Sequence, residues 1–376
     1  MILTSARFYQ FRNLQEQSFS PTPGLNLLVG PNGQGKTNLL EALYLLTMPR
    51  SFRRGGLGDW VMAGRSEAAV RCQVLEDGRE SQVEMFLEGG RRSFLVDGKK
   101  VTGVAQVAPA LVFLFFGPDD LQLLKGAPQE RRRFLDRACY NLHPAHLALV
   151  QDFGQLLKDR NALLRDFVHG RLPAGLMESY DQRFVELGLQ LCRARQAYVE
   201  ALKVNFQRLW GELRGVTGRA VDLAYEDGFG LGEALTAPDA ATRAQRALAA
   251  VREKDLARLG CSVGPQVDDL AVTLDGQDAR SRASQGQTRS ICVVLRVAEL
   301  ATFREQTGRV PVLLLDDLSS ELDRPHQEML MAILEREMGQ VLLTTTRVEN
   351  VVHEGPMSVF RVSGGVLEMG DEANAR

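Results

Sequence analysis

The stretch LNLLVGPNGQGKTNLLEALYLL, Leu25 to Leu46, reads as a buried strand, a glycine-rich turn and an apolar helix. Within it Gly30, Pro31, Asn32, Gly33, Gln34, Gly35, Lys36 and Thr37 match G-x-x-x-x-G-K-[ST] at every fixed position. Glycines let backbone N–H groups turn inward around a β-phosphate, and the helix N-terminus adds positive potential. In that frame Lys36 reaches the β and γ oxygens and Thr37 offers its hydroxyl to Mg2+. The order strand, turn, helix predicts nucleotide binding.

A phosphate loop needs an acid to position its metal at the end of a neighbouring strand. VPVLLLDDLSSELD, Val310 to Asp323, supplies one: Val312 to Leu315 are apolar, and Asp316-Asp317 stand where the strand leaves the core. Adjacent carboxylates are costly there unless they serve a cation, the alternative being a solvated loop start. Asp316 is assigned to the Mg2+ shell and Asp317 to orienting or deprotonating the attacking water. A third element, Ser284-Gln285-Gly286-Gln287, sits immediately before a helix. A serine hydroxyl, a glycine N–H and a positive helix end together make an anion site. Alone the tetrapeptide is weak, and its order with the other two motifs makes it specific.

With 376 residues, 44% hydrophobic and 24% charged, the chain has room for more than one domain and no composition of disorder. The start, Met1 to Arg7, lacks a basic segment followed by an apolar run, and Ala110 to Phe116 is too short to span a bilayer. A cytoplasmic protein with no membrane partner is expected. Five scattered cysteines contain no C-x-x-C pair, and the five histidines show no ligand spacing, so neither residue type indicates a metal site or redox couple. A formal charge of −2 argues against a strongly basic nucleic-acid binder. Local basic runs remain: Arg50 to Arg54, and Lys125 with Arg131, Arg132 and Arg133, each by default a solvated face. Neither Trp60 nor Trp210 lies in a basic, aromatic cluster of the single-strand-binding type.

Along the chain, ILTSARFYQF and LQEQSFS can pair as a hairpin, and the residues from Ala68 to Val101 alternate in polarity between Asp77-Gly78, Gly89-Gly90 and Asp97-Gly98. That pattern predicts a β-meander. From Ala127 to Leu213 the period becomes helical, broken near His143-Pro144 and Gly170 to Gly175. A further helix is expected over Ala240 to Leu259. The last third alternates helix Gln287 to Glu305, strand Val310 to Leu315, helix Pro325 to Met338 and strand Val341 to Thr345. Parallel strands with crossover helices follow from that order. The expected organisation is an α/β protein: residues 1–124 and 214–376 build a mixed sheet with an N-terminal antiparallel meander, and 125–213 form an inserted all-helical arm.

Together GPNGQGKTNLLEAL, SQGQTR, LLLDDLSSELD, GAPQERRRFLDRA and LLKDRNALL resemble the RecF family, bacterial recombination-mediator ATPases of the ABC/SMC-like class. The likeness runs from Phe11-Arg12-Asn13 to VLLTTT, and RRRFLD with KDRN separates this family from other ABC-type heads. The resemblance implies an ATPase head in which Gly30 to Thr37 are the Walker A loop, Asp316-Asp317 Walker B, and Ser319 to Asp323 the D-loop. It implies ATP and Mg2+ as cofactors, with Gly30 to Asn38, Ser284, Gly286 and Gln287 around the nucleotide and Lys36, Asp317 and Ser284 in catalysis. Ser284 then caps the γ-phosphate held by the other subunit of a symmetric, ATP-dependent homodimer. Each motif occurs once, so one chain carries half of two composite sites. Double-stranded DNA, ssDNA–dsDNA junctions, RecR, RecO and RecA are the implied partners, with slow ATP hydrolysis in recombinational repair and replication-gap processing. The arm is implied to clamp duplex DNA, with Arg131, Arg132 and Arg133 as candidate contacts. Adjacent helical residues point about 100° apart, so at most two of them face one phosphate track.

Some positions depart from the family pattern. Gly264 to Leu270 reads GPQVDDL where the family has GPHRDDL, so Gln266 and Val267 replace a His-Arg pair. The histidine switch of transporter ATPases is absent from VLLTTTR, where Thr346 either bonds the γ-phosphate or only ends a strand. Asp119-Asp120 occupy the place of a glutamine loop. Competing readings are a transport ATPase subunit, a small-molecule P-loop kinase and a nucleotide-gated scaffold without hydrolysis. The missing histidine switch and the arm disfavour the first, and the SQGQ and D-loop motifs disfavour the second.

Overall fold

The computed structural model describes residues 1–169, 175–317, 322, 324–337, 339–353, 355–370 and 373–374, the side chains of 213–217, 329, 333, 335–337 and 373–374 excepted. The first elements are β1 (Ile2–Tyr9), β2 (Gln17–Phe19), β3 (Gly24–Val29), α1 (Lys36–Thr47), α2 (Leu57–Trp60), β4 (Glu67–Glu76), β5 (Arg79–Glu88), β6 (Arg91–Val96), β7 (Lys99–Val101) and β8 (Phe113–Phe116). There follow α3 (Pro128–Leu142), α4 (His146–Val168), α5 (Leu176–Thr217), β9 (Val221–Glu226), α6 (Ala240–Ala250), α7 (Arg252–Arg258), β10 (Asp269–Leu274), β11 (Gln277–Asp278), α8 (Ala279–Arg282) and α9 (Gln285–Thr307). The chain ends through β12 (Val312–Leu315), α10 (Arg324–Glu337), β13 (Gln340–Thr345), β14 (Pro356–Ser363), β15 (Val366–Met369) and β16 (Ala373–Asn374). Among the described residues no helix is long and apolar enough to cross a membrane.

The chain divides into two compact units, Met1–Gln122 with Leu300–Arg376, and Leu123–Glu299. The first contains two sheets. One is antiparallel, ordered β2-β1-β4-β5-β6-β7, and includes the expected N-terminal hairpin and meander. Positive φ at Asp77 and Gly78, and again at Asp97 and Gly98, lets both two-residue turns match the twist of their strands. In β4, Ala68, Val70, Cys72 and Val74 are buried, the period-2 pattern of a sheet with one face on a core.

The other sheet runs β15-β14-β3-β13-β12-β8, with β16 pairing β14. From β14 to β8 the pairings are parallel. Every residue of β8, β12 and β13 is buried, which explains the unbroken apolar runs FLFF and VLLL. β13 therefore lies between the phosphate-loop strand β3 and the aspartate strand β12. Buried Gln340, first residue of β13, meets its polar demand by accepting from Leu3 N–H (2.7 Å) and donating to the Leu3 and Thr22 carbonyls.

In the second unit α4 packs on α5 through Phe153–Phe184, with Phe229 beside Phe184, and α3 packs on α5 through Phe134–Tyr198. The arm expected at 125–213 lies inside this unit, and the unit as a whole is not all-helical. α5 continues to Thr217, and β9 packs on it as the edge of a three-stranded sheet, β11-β10-β9. The single helix expected over 240–259 is two, because Val251 adopts a non-helical conformation (φ −103°, ψ 5°) and its N–H turns to Ala249 O. Charged groups fasten the interior. Arg195 grips Asp136 at 2.9 and 2.8 Å and donates to Asp268 at 2.6 Å, while Asp268 also accepts from Gly228 N–H and Tyr225 OH. Arg160, from the KDRN motif, donates to Asp181 and Cys261 in the same core, fully buried.

Candidate phosphate-binding site

The loop after β3 is shaped by its glycines. Gly33 and Gly35 have φ of +80° and +113°, a region that side chains with a Cβ avoid. At Gly30 the constraint is space: a Cβ there lies 2.2 Å from Val362 O on β14. The Lys36 ammonium donates to the carbonyls of Gly30 (2.6 Å) and Pro31 (2.9 Å), so the lysine spans the turn from inside. Burial pulls its pKa below the ordinary value, and the carboxylates of Asp317 and Asp316 act in the opposite direction.

Asp316 meets the loop from β12. Its Oδ1 accepts from Thr37 Oγ1 at 2.9 Å and from Thr344 Oγ1, on the intervening strand β13, at 2.8 Å. Thr344 Oγ1 in turn accepts from Asp317 N–H at 2.9 Å, and Asp317 holds φ +43°. Desolvation pushes the Asp316 carboxyl up from its usual range, the two hydroxyl donors pull it down, and the neighbouring Asp317 charge adds to the rise. A buried carboxylate in contact with the phosphate-loop threonine is a hard-oxygen donor pair suited to Mg2+. The residues present therefore fit that ion, which Thr37 and Asp316 would hold.

A second layer was not anticipated from motifs. Asn13 Nδ2 donates to Gln34 O (3.3 Å), and Asn13 Oδ1 accepts from Asn38 Nδ2 (2.7 Å), which pins the loop to the first turn of α1. Gln34 O also accepts from Gly365 N–H, and Gln34 Oε1 from Gly364 N–H. Fully buried Glu41 accepts from Arg12 at 2.5 and 2.8 Å and from Ser51, with Arg53 at 3.6 Å; Arg53 also donates to Asn38. Arg12 and Asn13 of the Phe11-Arg12-Asn13 segment thus support the phosphate loop and the helix that follows it. Only the segment's presence was legible in the sequence, because both contacts are long-range. Asn32 is exposed in the turn.

Ser284 belongs to the second unit and caps α9. Its N–H donates to Gln287 Oε1 (2.9 Å) and its Oγ accepts from Gln287 N–H (3.2 Å), a reciprocal capping box. Gln287 is thereby a cap partner, and Gly286 is open, with nothing within 4 Å of a Cβ built there. The candidate DNA contacts separate. Arg131 is corrected: it is 1% exposed and bound to Asp269 at 2.6 and 2.8 Å, so its guanidinium is not on a surface. Arg132 donates to Asp268 O, and Arg133 is exposed beside Glu130. Gln266 donates to Val263 O at 2.7 Å and serves the local turn. Asp120 accepts from Gly117 N–H, and Thr346 Oγ1 accepts from Asn350 Nδ2. Of the D-loop, Ser319 to Glu321 and Asp323 lie outside the described residues.

A largely parallel mixed sheet carrying a phosphate loop on β3 and an acid on β12, an antiparallel meander and an inserted, mainly helical unit define an ABC/SMC-type ATPase head. The family model described as RecF/RecN/SMC N terminal domain matches residues 2–366. The chain is 37% identical over 351 residues to the DNA replication and repair protein RecF of Myxococcus xanthus (strain DK1622), covering 92% of this chain and 91% of that one. It is 34% identical to the protein of that name from Geobacter sulfurreducens (strain ATCC 51573 / DSM 12127 / PCA), covering 98% and 99%. The solved structure of the recombination mediator protein RecF-ATP in the RecFOR pathway superposes with a TM-score of 0.87 at 28% identity, over 98% of this chain and 97% of that one. An SmcHead bound to a ScpA domain shares the fold alone, at 15% identity, a TM-score of 0.56 and coverage of 100% and 98%. The chain belongs to the RecF family.

Proposed function

We propose that this chain is an ATP-dependent DNA-binding protein with slow ATPase activity that dimerises on ATP and acts in recombinational repair and replication-gap processing in the cytoplasm. The observation that carries the nucleotide chemistry is the 2.9 Å contact between Thr37 and Asp316 beside the Lys36 ammonium. Family membership supports the biological setting. Mg2+ would be held by Thr37 and Asp316 and would supply charge neutralisation between the β- and γ-phosphates. Lys36 exchanges its two loop carbonyls for phosphate oxygens, a charge-assisted contact stronger than the one it leaves. Asp317 orients or deprotonates the attacking water. Ser284 of a second copy donates its hydroxyl to the γ-phosphate, so nucleotide joins two subunits at two equivalent sites.

By family resemblance the partners are duplex DNA and ssDNA–dsDNA junctions, RecR, RecO and RecA. Of the arginine triplet, exposed Arg133 is the candidate phosphate contact. Sedimentation velocity in Mg-ATP and in Mg-ADP, with and without duplex DNA, tests the proposal on wild type and Ser284→Arg. A dimer seen with ATP, strengthened by DNA and lost in the variant, supports it. A monomer that still binds ATP in every condition removes the dimeric clamp.

A further inference from the structure

Two cationic arms of the second unit converge on the turn that carries Ser284. In the first, Lys125 Nζ donates to Ala283 O at 3.2 Å, the carbonyl of the peptide that Ser284 N–H completes. In the second, Arg280 on α8 donates to Asp269 Oδ2 at 3.1 Å and to Asp278, which caps α8 by accepting from Arg280 N–H at 3.0 Å. Ala283 closes that helical turn through its N–H to Ala279 O. Both arms lead back to Arg131.

The Arg131 guanidinium divides its donors. Nε and Nη2 hold Asp269, the residue that Arg280 also contacts. Nη1 donates to the carbonyls of Leu124 (3.3 Å) and Gly126 (2.8 Å), on either side of Lys125, and to Leu123 O (3.4 Å). A planar fork with fixed donor directions sets both backbone positions at once, which an ammonium at 131 cannot do. The stem of Lys125 therefore starts from a fixed point. Its far end meets a turn whose other side is fixed by the Ser284–Gln287 capping box.

We propose that Lys125, aimed by Arg131, is a positioning residue for the signature turn, holding the Ala283–Ser284 peptide so that the Ser284 hydroxyl is presented to the nucleotide of a second copy. This rests on the cross-subunit reading of Ser284. Lys125 is exposed, so its replacement tests position rather than folding.

The full-length variants Lys125→Ala, Lys125→Arg and Ser284→Ala are compared with wild type in ATP binding, ATP-dependent association and thermal unfolding. Lys125→Ala is expected to bind ATP and to melt as wild type does, yet to need roughly tenfold more protein for ATP-dependent association, the equivalent of one charged hydrogen bond. Lys125→Arg is expected to recover most of that loss. Wild-type association of Lys125→Ala alongside weakened Ser284→Ala overturns this inference and leaves the Ser284 reading standing. Wild-type association of Ser284→Ala overturns both. Loss of ATP binding and of thermal stability together in Lys125→Ala assigns it a structural role and also overturns the inference.

Discussion

Thr37 and Asp316, 279 positions apart in the chain, share a 2.9 Å hydrogen bond. That contact joins the first turn of α1 to the end of β12, with Thr344 on β13 bridging to the same carboxylate oxygen.

Asp316→Asn keeps an acceptor for both hydroxyls and removes a desolvated charge. Burial holds the Asp316 carboxyl above its ordinary 3.8, so the folded state keeps that proton to higher pH than the unfolded chain. Stability therefore falls as pH rises from 3.8 through the folded-state value, and this part of the pH dependence disappears in the variant. Near neutral pH, without nucleotide or metal, the variant is expected to gain about 1 kcal/mol, roughly 2 °C in Tm, while losing Mg2+-dependent nucleotide affinity. Calorimetry across that range checks both signs, and a lower Tm in the variant contradicts the account.

Gly30→Ala and Gly33→Ala separate space from conformation. The first drives a Cβ to 2.2 Å from Val362 O, backbone that cannot swing away, and is expected to cost about 3 kcal/mol. The second meets no atom and bears only the strain of φ +80°, about 1 kcal/mol. Urea midpoints in the reverse order would show that the loop and β14 yield more easily than their contact indicates.

Glu41→Ala is expected to destabilise by about 3 kcal/mol, because it strips a fully buried acceptor from Arg12, itself 16% exposed. Arg53→Ala, at 44% exposed, should cost less than about 1 kcal/mol. Guanidinium unfolding of the two variants and of the Arg12→Ala protein decides whether Arg12 or Arg53 is the main partner.

The arginine triplet gives a fourth contrast. Arg131→Ala strips Asp269 of its bidentate partner, Arg280 remaining on Oδ2, removes the donor to the Gly126 carbonyl, and is expected to lose about 3 kcal/mol of stability. Arg133→Ala is expected to leave stability within about 0.5 kcal/mol and to lower the slope of log affinity against log salt for duplex DNA by about 1. An unchanged slope would remove Arg133 from the DNA-contacting surface.

What the sequence revealed follows the range of the interactions. The phosphate loop was legible because consecutive residues carry its geometry, and Asp316 because an apolar strand ends at it. The support from Asn13 and Glu41 was not, since Arg12 finds Glu41 only when β1 and α1 are brought together in the fold. Arg131 was read by residue type as surface charge, and its partner Asp269 lies 138 positions away. The capping role of Gln287 was available in principle, because S-x-x-Q is a local pattern, but the reading of the same residues as an anion site obscured it.

The position of β3 bears on how the chain is made. Its sheet neighbours, β13 and β14, are both encoded beyond residue 339, and Asn26 reaches Val341 O across 315 positions. At ribosomal speeds of about 5–20 residues per second, the phosphate-loop strand waits roughly 15 to 60 s after synthesis for its first partner. Residues 123–299 form a contiguous compact unit and emerge within that interval. Nucleotide capacity is therefore acquired at the end of translation, and a nascent or prematurely terminated chain exposes an apolar strand, Leu25 to Val29, in place of an ATP site.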